Sequence, residues 1–166
     1  MSPGEVSRAV KLRLAGELRV DLGSVERRAA AVASLAGVPA AETPDVAHVR
    51  GLALAFELER FYTAVEAMLV RSVQGLDGDT PRGHQWHIEL LRASSVPVPT
   101  IRPALINADT AAALRDVLGF RHFARHAYDA DPELPRLAVL ASRVSGLMPA
   151  LRASMGAVLV ELEAQR

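Results

Sequence analysis

Apolar residues recur at intervals of three and four along most of this chain, which is the spacing of amphipathic α-helices. The first apolar stripe ends at the turn of Gly37, Val38 and Pro39, and the second begins after Thr43 and Pro44. Alternation of apolar and polar residues between hairpin turns, the pattern of half-buried strands, is not found in the sequence. The pattern therefore predicts a helical protein.

Glycine, proline and capping residues set the limits of the later elements. The turn cluster Gly75–Pro81 ends the second helix, and a short third helix is predicted at about 83–94. The proline-rich segment 96–103 is incompatible with a helix and predicts an extended connection. Asn107 or Asp109 caps a fourth helix, since the side chains of both residue types accept hydrogen bonds from N-terminal amides.

A fifth helix follows Asp131-Pro132-Glu133 and continues to the end of the chain, with a kink expected at Pro149. Four to five helices with such apolar faces predict an all-α fold, an antiparallel helical bundle. We expect a single domain over residues 1–166, in which residues 1–45 form an N-terminal helical arm and residues 46–166 form the core. The first helix, up to about residue 37, can be a separable arm.

The composition limits the classes of function that this protein can have. Half of the residues are apolar, which suffices for a buried core, and cysteine is absent, which excludes disulfides, thiolate zinc sites and cysteine nucleophiles. The net charge of zero argues against a general nucleic-acid coat protein, although a local cationic site remains open. No secretory signal is visible, and no apolar run approaches the roughly 20 residues of a membrane helix. We expect a soluble cytoplasmic protein with no membrane association.

One segment of the fourth helix is unusually rich in chemically active side chains. Arg121, Arg125 and Tyr128 share one stripe of the helix, and His122 and His126 form an adjacent stripe. The segment has no carboxylate before its end, unlike most solvated helix faces. Its side chains are of the types that bind phosphate, transfer protons and stabilise an oxyanion.

The spacing Arg121-x4-His126-x-Tyr128 resembles the R-x4-6-H-x-Y motif of HEPN-fold ribonucleases, in particular the HepT-like toxins. The context is similar over roughly residues 50–165, where a long helix precedes a short segment, a proline-rich connection, the motif and a final long helix. Residues 1–45 lie outside the resemblance.

The resemblance implies a metal-independent endoribonuclease toxin of a toxin–antitoxin system, with no cofactor. Such proteins usually form homodimers through the motif helices, so that both chains build the site. Their partners are commonly nucleotidyltransferase-type antitoxins, some of which transfer AMP onto the motif tyrosine, here Tyr128.

The chemistry of the residues agrees with this reading. Cleavage of RNA without a metal requires removal of a proton from the 2′-hydroxyl, donation of a proton to the 5′-oxygen and neutralisation of the phosphorane. We assign acid/base work to His126 and the scissile phosphate to Arg121, with His122, Arg125 and Tyr128 in supporting or RNA-binding roles. The expected products carry a 2′,3′-cyclic phosphate and a 5′-hydroxyl.

Three alternatives stay open. Arg121, His126 and Tyr128 can form a polar face that pairs with Glu or Asp from a neighbouring helix. The domain can also be a non-catalytic binding module that docks onto, or is modified by, a nucleotidyltransferase. The spacing His122-x3-His126, with His84 and His87, is compatible with a metal, but no accompanying carboxylate or cysteine supports one, and none is predicted.

Overall fold

The computed structural model describes the backbone of residues 3–38, 43–126 and 133–164, and the side chains of residues 7–38, 43–121 and 133–164. These residues form a helical bundle, and within them no strand occurs apart from one isolated bridge between Val98 and Arg102. The predicted all-α class is therefore confirmed. The elements are α1 (Pro3–Ala36), α2 (Pro44–Asp77), α3 (Trp86–Ser95), α4 (Ala108–His126) and α5 (Leu134–Ala164).

The ends of the helices follow from capping residues. The Thr43 hydroxyl accepts a hydrogen bond from the Val46 amide at the start of α2, and Gly78 ends α2 in the left-handed conformation with a φ of 86°. At the start of α4 the side-chain oxygen of Asn107 accepts from the Thr110 amide at 2.7 Å, so Asn107, and not Asp109, is the cap. The third helix begins at Trp86, later than predicted, because Gly83 forms a turn with a φ of 96°.

One apolar core connects the helices. Helix α1 packs against α2 and α5, and α4 packs against α2, α3 and α5. The first helix contributes Leu14, Leu18, Val25 and Val32 to this core, and Leu14 lies so close to α2 that only a glycine fits at Gly75 without displacement. Buried members from the other helices include Leu54, Leu58, Phe61, Val65, Leu90, Leu91, Leu114, Val117, Leu137, Val144, Leu151 and Val158.

The connection between α3 and α4 is anchored by a buried arginine. Arg102 donates from Nε and Nη2 to the two carboxylate oxygens of Asp77, at 2.6 and 2.7 Å, and from its Nη atoms to the carbonyls of Ala93, Val96 and Pro103. This bidentate pair fastens the proline-rich segment to the end of α2. It therefore anchors the segment that leads into α4.

Helix α5 spans the bundle and contains Pro149 within its length. None of the described helices has the length and the apolar character that crossing a lipid bilayer requires.

Candidate functional site

Arg121 and His126 of the motif lie at the C-terminal end of α4. Arg121 precedes the last residue of that helix, His126, by little more than one turn. The side chains of His122, Arg125 and His126, and the whole of Tyr128, lie outside the described residues. The predicted site residue with a described side chain is Arg121, and its surroundings can be given in detail.

Arg121 is buried rather than solvated, with 8% of its surface exposed. Its Nη1 lies 3.2 Å from Oε1 and 3.4 Å from Oε2 of Glu66 on α2, and its Nε lies 4.0 Å from Oε1 of Glu59. Within the described part of the chain the Nε hydrogen has no hydrogen-bond acceptor. The guanidinium is therefore held mainly through Nη1.

Glu66 links three helices. The carboxylate is buried, with 9% of the residue exposed, and its Oε2 also forms a short hydrogen bond with Nδ1 of His87 on α3. Trp86 stacks on the His87 ring, with centroids 3.8 Å apart and planes inclined by 31°. One carboxylate thus holds both a guanidinium from the motif helix and an imidazole from a different helix.

Tyr62 lies beneath the Arg121 side chain, four residues before Glu66 on the same face of α2. The Arg121 guanidinium carbon is 5.5 Å from the centroid of the Tyr62 ring, a cation–π distance. The Tyr62 hydroxyl is buried without a hydrogen-bond partner among the described residues. Burial raises the pKa of Tyr62 well above its ordinary value of 10.0, the charge of Glu66 raises it further, and the charge of Arg121 opposes both. Tyr62 is therefore neutral at physiological pH.

The charges of Arg121, Glu59 and Glu66 determine which chemistry this group of side chains can support. Two carboxylates, Glu59 and Glu66, surround the one guanidinium, so the positive charge of Arg121 is offset within the protein. An arginine presents five N–H donors, and the pair with Glu66 engages one nitrogen. A carboxylate that accepts from Nδ1–H of a histidine fixes the tautomer in which Nε2 can take up a proton. The arrangement can thus orient both a phosphate-binding cation and an acid/base group.

The contacts of Arg121 match one of the alternatives that the sequence left open. Arg121 pairs with a glutamate of a neighbouring helix, as expected for a polar helix face that pairs with Glu or Asp. Glu66 and Tyr62 were not predicted from the sequence, and His87 was named there only as a residue compatible with a metal site. One signal in the sequence could have indicated Glu66. It lies between Val65 and Met68 in the apolar stripe of α2, where a buried charge requires a partner.

A metal centre finds no support in the described part of the chain, where no group of three or more histidine, aspartate or glutamate side chains is placed to hold an ion. His122 and His126, whose spacing is compatible with a metal, have side chains outside the described residues.

Comparison with known protein families identifies the chain. Residues 53–162, from the first half of α2 to the end of α5, match the family model described as HepT-like protein. No curated protein and no solved structure matches the chain. The family is nuclease-related and indicates a toxin-like function of the HEPN type. Because the match covers most of the chain, this protein belongs to the HepT-like family of the HEPN superfamily.

Proposed function

We propose that this protein is a metal-independent endoribonuclease toxin that cleaves RNA through Arg121 and His126 at a homodimer interface. The observation that carries the proposal is the R-x4-H-x-Y spacing, whose Arg121 and His126 lie at the end of α4, in a member of the HepT-like family. The buried pair of Arg121 with Glu66 supports it, because this pair fixes the motif helix against α2.

In this mechanism His126 exchanges protons with the 2′-oxygen or the 5′-oxygen of the RNA, and arginine neutralises the phosphorane. Arg121 keeps Nη1 on Glu66 and turns its remaining N–H donors to the phosphate. Arg125 adds a second cation, Tyr128 positions the RNA, and His122 lies next to Arg121 in sequence as a supporting group. The products are a 2′,3′-cyclic phosphate and a 5′-hydroxyl.

A homodimer is part of the proposal. The outward face of α2 carries exposed apolar side chains at Val49, Leu52 and Phe56, spaced by three and four residues. Glu59, one turn beyond Phe56, approaches Arg121. A second copy of the chain on this face would therefore lie beside the site. The isologous contact of a two-fold dimer would then bring two motifs close together.

The remaining partner is a nucleotidyltransferase-type antitoxin acting in the cytoplasm. It would silence the toxin by binding the motif end of α4 or by transferring AMP onto Tyr128. Because Tyr128 belongs to the motif, a bulky and charged nucleotide on its hydroxyl would obstruct the approach of RNA.

A non-catalytic module is the second candidate, and the burial of Arg121 favours it. An arginine that is 8% exposed and flanked by Glu59 and Glu66 has a structural role whether or not RNA binds. In this candidate the domain docks onto its nucleotidyltransferase partner and presents Tyr128 without cleaving RNA.

Expression of the chain alone in a bacterium separates the two candidates. The wild type is compared with His126→Ala, with Arg121→Lys, which keeps a cation for Glu66, and with His84→Ala as a control at an exposed histidine outside the motif. We expect growth arrest and RNA fragments with cyclic-phosphate ends for the wild type and the control only. A soluble, helical His126→Ala protein that remains fully toxic would contradict the assignment, and a harmless wild type would favour the non-catalytic module.

A further inference from the structure

We propose that His87 is a second proton carrier of the reaction and that Glu66 is its positioning residue. This inference rests on the proposed ribonuclease function and deepens it. It concerns residues outside the R-x4-H-x-Y motif, on α2 and α3, which the sequence pattern did not connect with the site.

The reaction requires two proton transfers at opposite sides of the phosphorus. As the 2′-oxygen attacks and forms the P–O2′ bond, one group accepts the 2′-hydroxyl proton. As the P–O5′ bond breaks, a second group donates a proton to the departing 5′-oxygen. The reaction needs no oxidant, reductant or further reactant. Each copy of the motif contains one histidine at the family position, His126, so the second acid/base group is either a histidine of a second motif or a residue outside the motif.

The structure brings His87 to the carboxylate that holds the motif arginine. Nδ1 of His87 and Nη1 of Arg121 both bind Glu66, although these residues come from α3 and α4 and lie 21 and 55 positions from Glu66 in sequence. Two groups on one carboxylate are necessarily neighbours. A phosphate within reach of Arg121 therefore lies near the imidazole of His87.

The hydrogen bond between His87 and Glu66 is of the kind that prepares a histidine for proton transfer. When Nδ1–H donates to a carboxylate, Nε2 carries the lone pair, and the resulting imidazolium is stabilised by the negative charge. The His87 side chain is 19% exposed, while that of Glu66 is 10% exposed, so the imidazole is the more accessible member of the pair. Stacking on Trp86 fixes the plane of the ring.

A purely structural role explains the pair less completely. Arg121 already supplies Glu66 with a cationic partner, so burial of the carboxylate does not require an ionisable group on its other side. An amide side chain would satisfy the same oxygen. An imidazole at this position adds the capacity to carry a proton, which an amide lacks.

The experiment uses the purified full-length protein and total bacterial RNA, with the release of cyclic-phosphate ends followed from pH 5 to pH 9. His87→Asn keeps an N–H donor for Glu66 but cannot carry a proton, and Glu66→Gln keeps the shape but removes the charge. His84→Asn, in the turn just before α3, is the matched control. Glu66 on α2 is the described charged group in contact with His87, Arg121 on α4 binds the same carboxylate, and Glu59 and Tyr62 on α2 lie beside Arg121.

We expect His87→Asn to lower the cleavage rate by on the order of 100-fold without changing the affinity for RNA, and to remove one limb of the pH–rate profile. Glu66→Gln should lower the rate by about tenfold and displace the same limb, as expected for a residue that acts through another. His84→Asn should match the wild type.

A folded His87→Asn protein that cleaves at the wild-type rate would overturn the inference and leave the ribonuclease function standing. Should His87→Asn fail to fold, Glu66→Gln decides, because a folded Glu66→Gln protein with the rate and the pH profile of the wild type would overturn the inference. A wild type that releases no cyclic-phosphate ends would refute the ribonuclease function itself, and the role of His87 with it.

Discussion

Nη1 of Arg121 lies 3.2 Å from Oε1 of Glu66, and this contact ties α4, the helix that carries Arg121 and His126, to the buried face of α2. Both residues are buried, so the pair is shielded from solvent. The pair makes the stability of the bundle and the geometry of the site depend on the same two side chains.

Removing one partner of the Arg121–Glu66 pair should lower the free energy of unfolding. Arg121→Met leaves Glu66 buried without its cation, and we expect the free energy of unfolding in urea to fall by about 3–5 kcal/mol. The double variant Arg121→Met/Glu66→Met removes both charges and should recover most of that loss. Arg152→Met, which breaks an exposed pair with Glu26, is the control and should cost less than about 1 kcal/mol. Equal losses for Arg121→Met and Arg152→Met would show that the buried pair is not important for stability.

Tyr62→Phe should leave stability at pH 7 unchanged or raise it by about 1 kcal/mol, because it removes a buried hydroxyl that has no partner among the described residues. The pKa of Tyr62 is raised in the folded state. The contribution of the neutral phenol to stability is therefore complete below the ordinary value of 10.0, and it is lost as pH rises above that value, because the phenol of the unfolded chain ionises first. Urea unfolding between pH 9 and pH 11 should show a shallower decline for Tyr62→Phe. An identical decline in both proteins would contradict the shifted pKa.

Phe56→Glu should convert the proposed homodimer into monomers. Phe56 is 57% exposed in the single chain and lies on the outward face of α2, with the Arg60 guanidinium carbon 5.3 Å from its ring centroid. A charge there would be desolvated in a dimer, so we expect a loss of at least tenfold in dimer affinity, measured by light scattering after gel filtration, with little change in monomer stability. Val160→Glu, at a 65% exposed position on α5, should have no effect. A Phe56→Glu protein of unchanged mass would place the interface elsewhere.

The helices of this protein were predictable from short stretches of sequence. The stop before Pro39, the start at Thr43 and the end at Gly75–Pro81 all agree with the observed limits of α1 and α2. Local signals suffice here because caps and apolar spacing act within one or two turns. The start of α3 was predicted too early because Gly83 adopts a positive φ that the sequence pattern does not specify.

The same distinction between local signals and long-range packing applies to the candidate site. The sequence by itself determined the helical class, the family resemblance and the position of Arg121 and His126 on α4, because each depends on residues close together in the chain. The tertiary structure alone decided that Arg121 is buried and that Glu66 joins it to His87. These residues come from three helices, and only the packing of α2, α3 and α4 brings them to one point. A buried carboxylate needs partners, but the sequence does not say which distant helix supplies them.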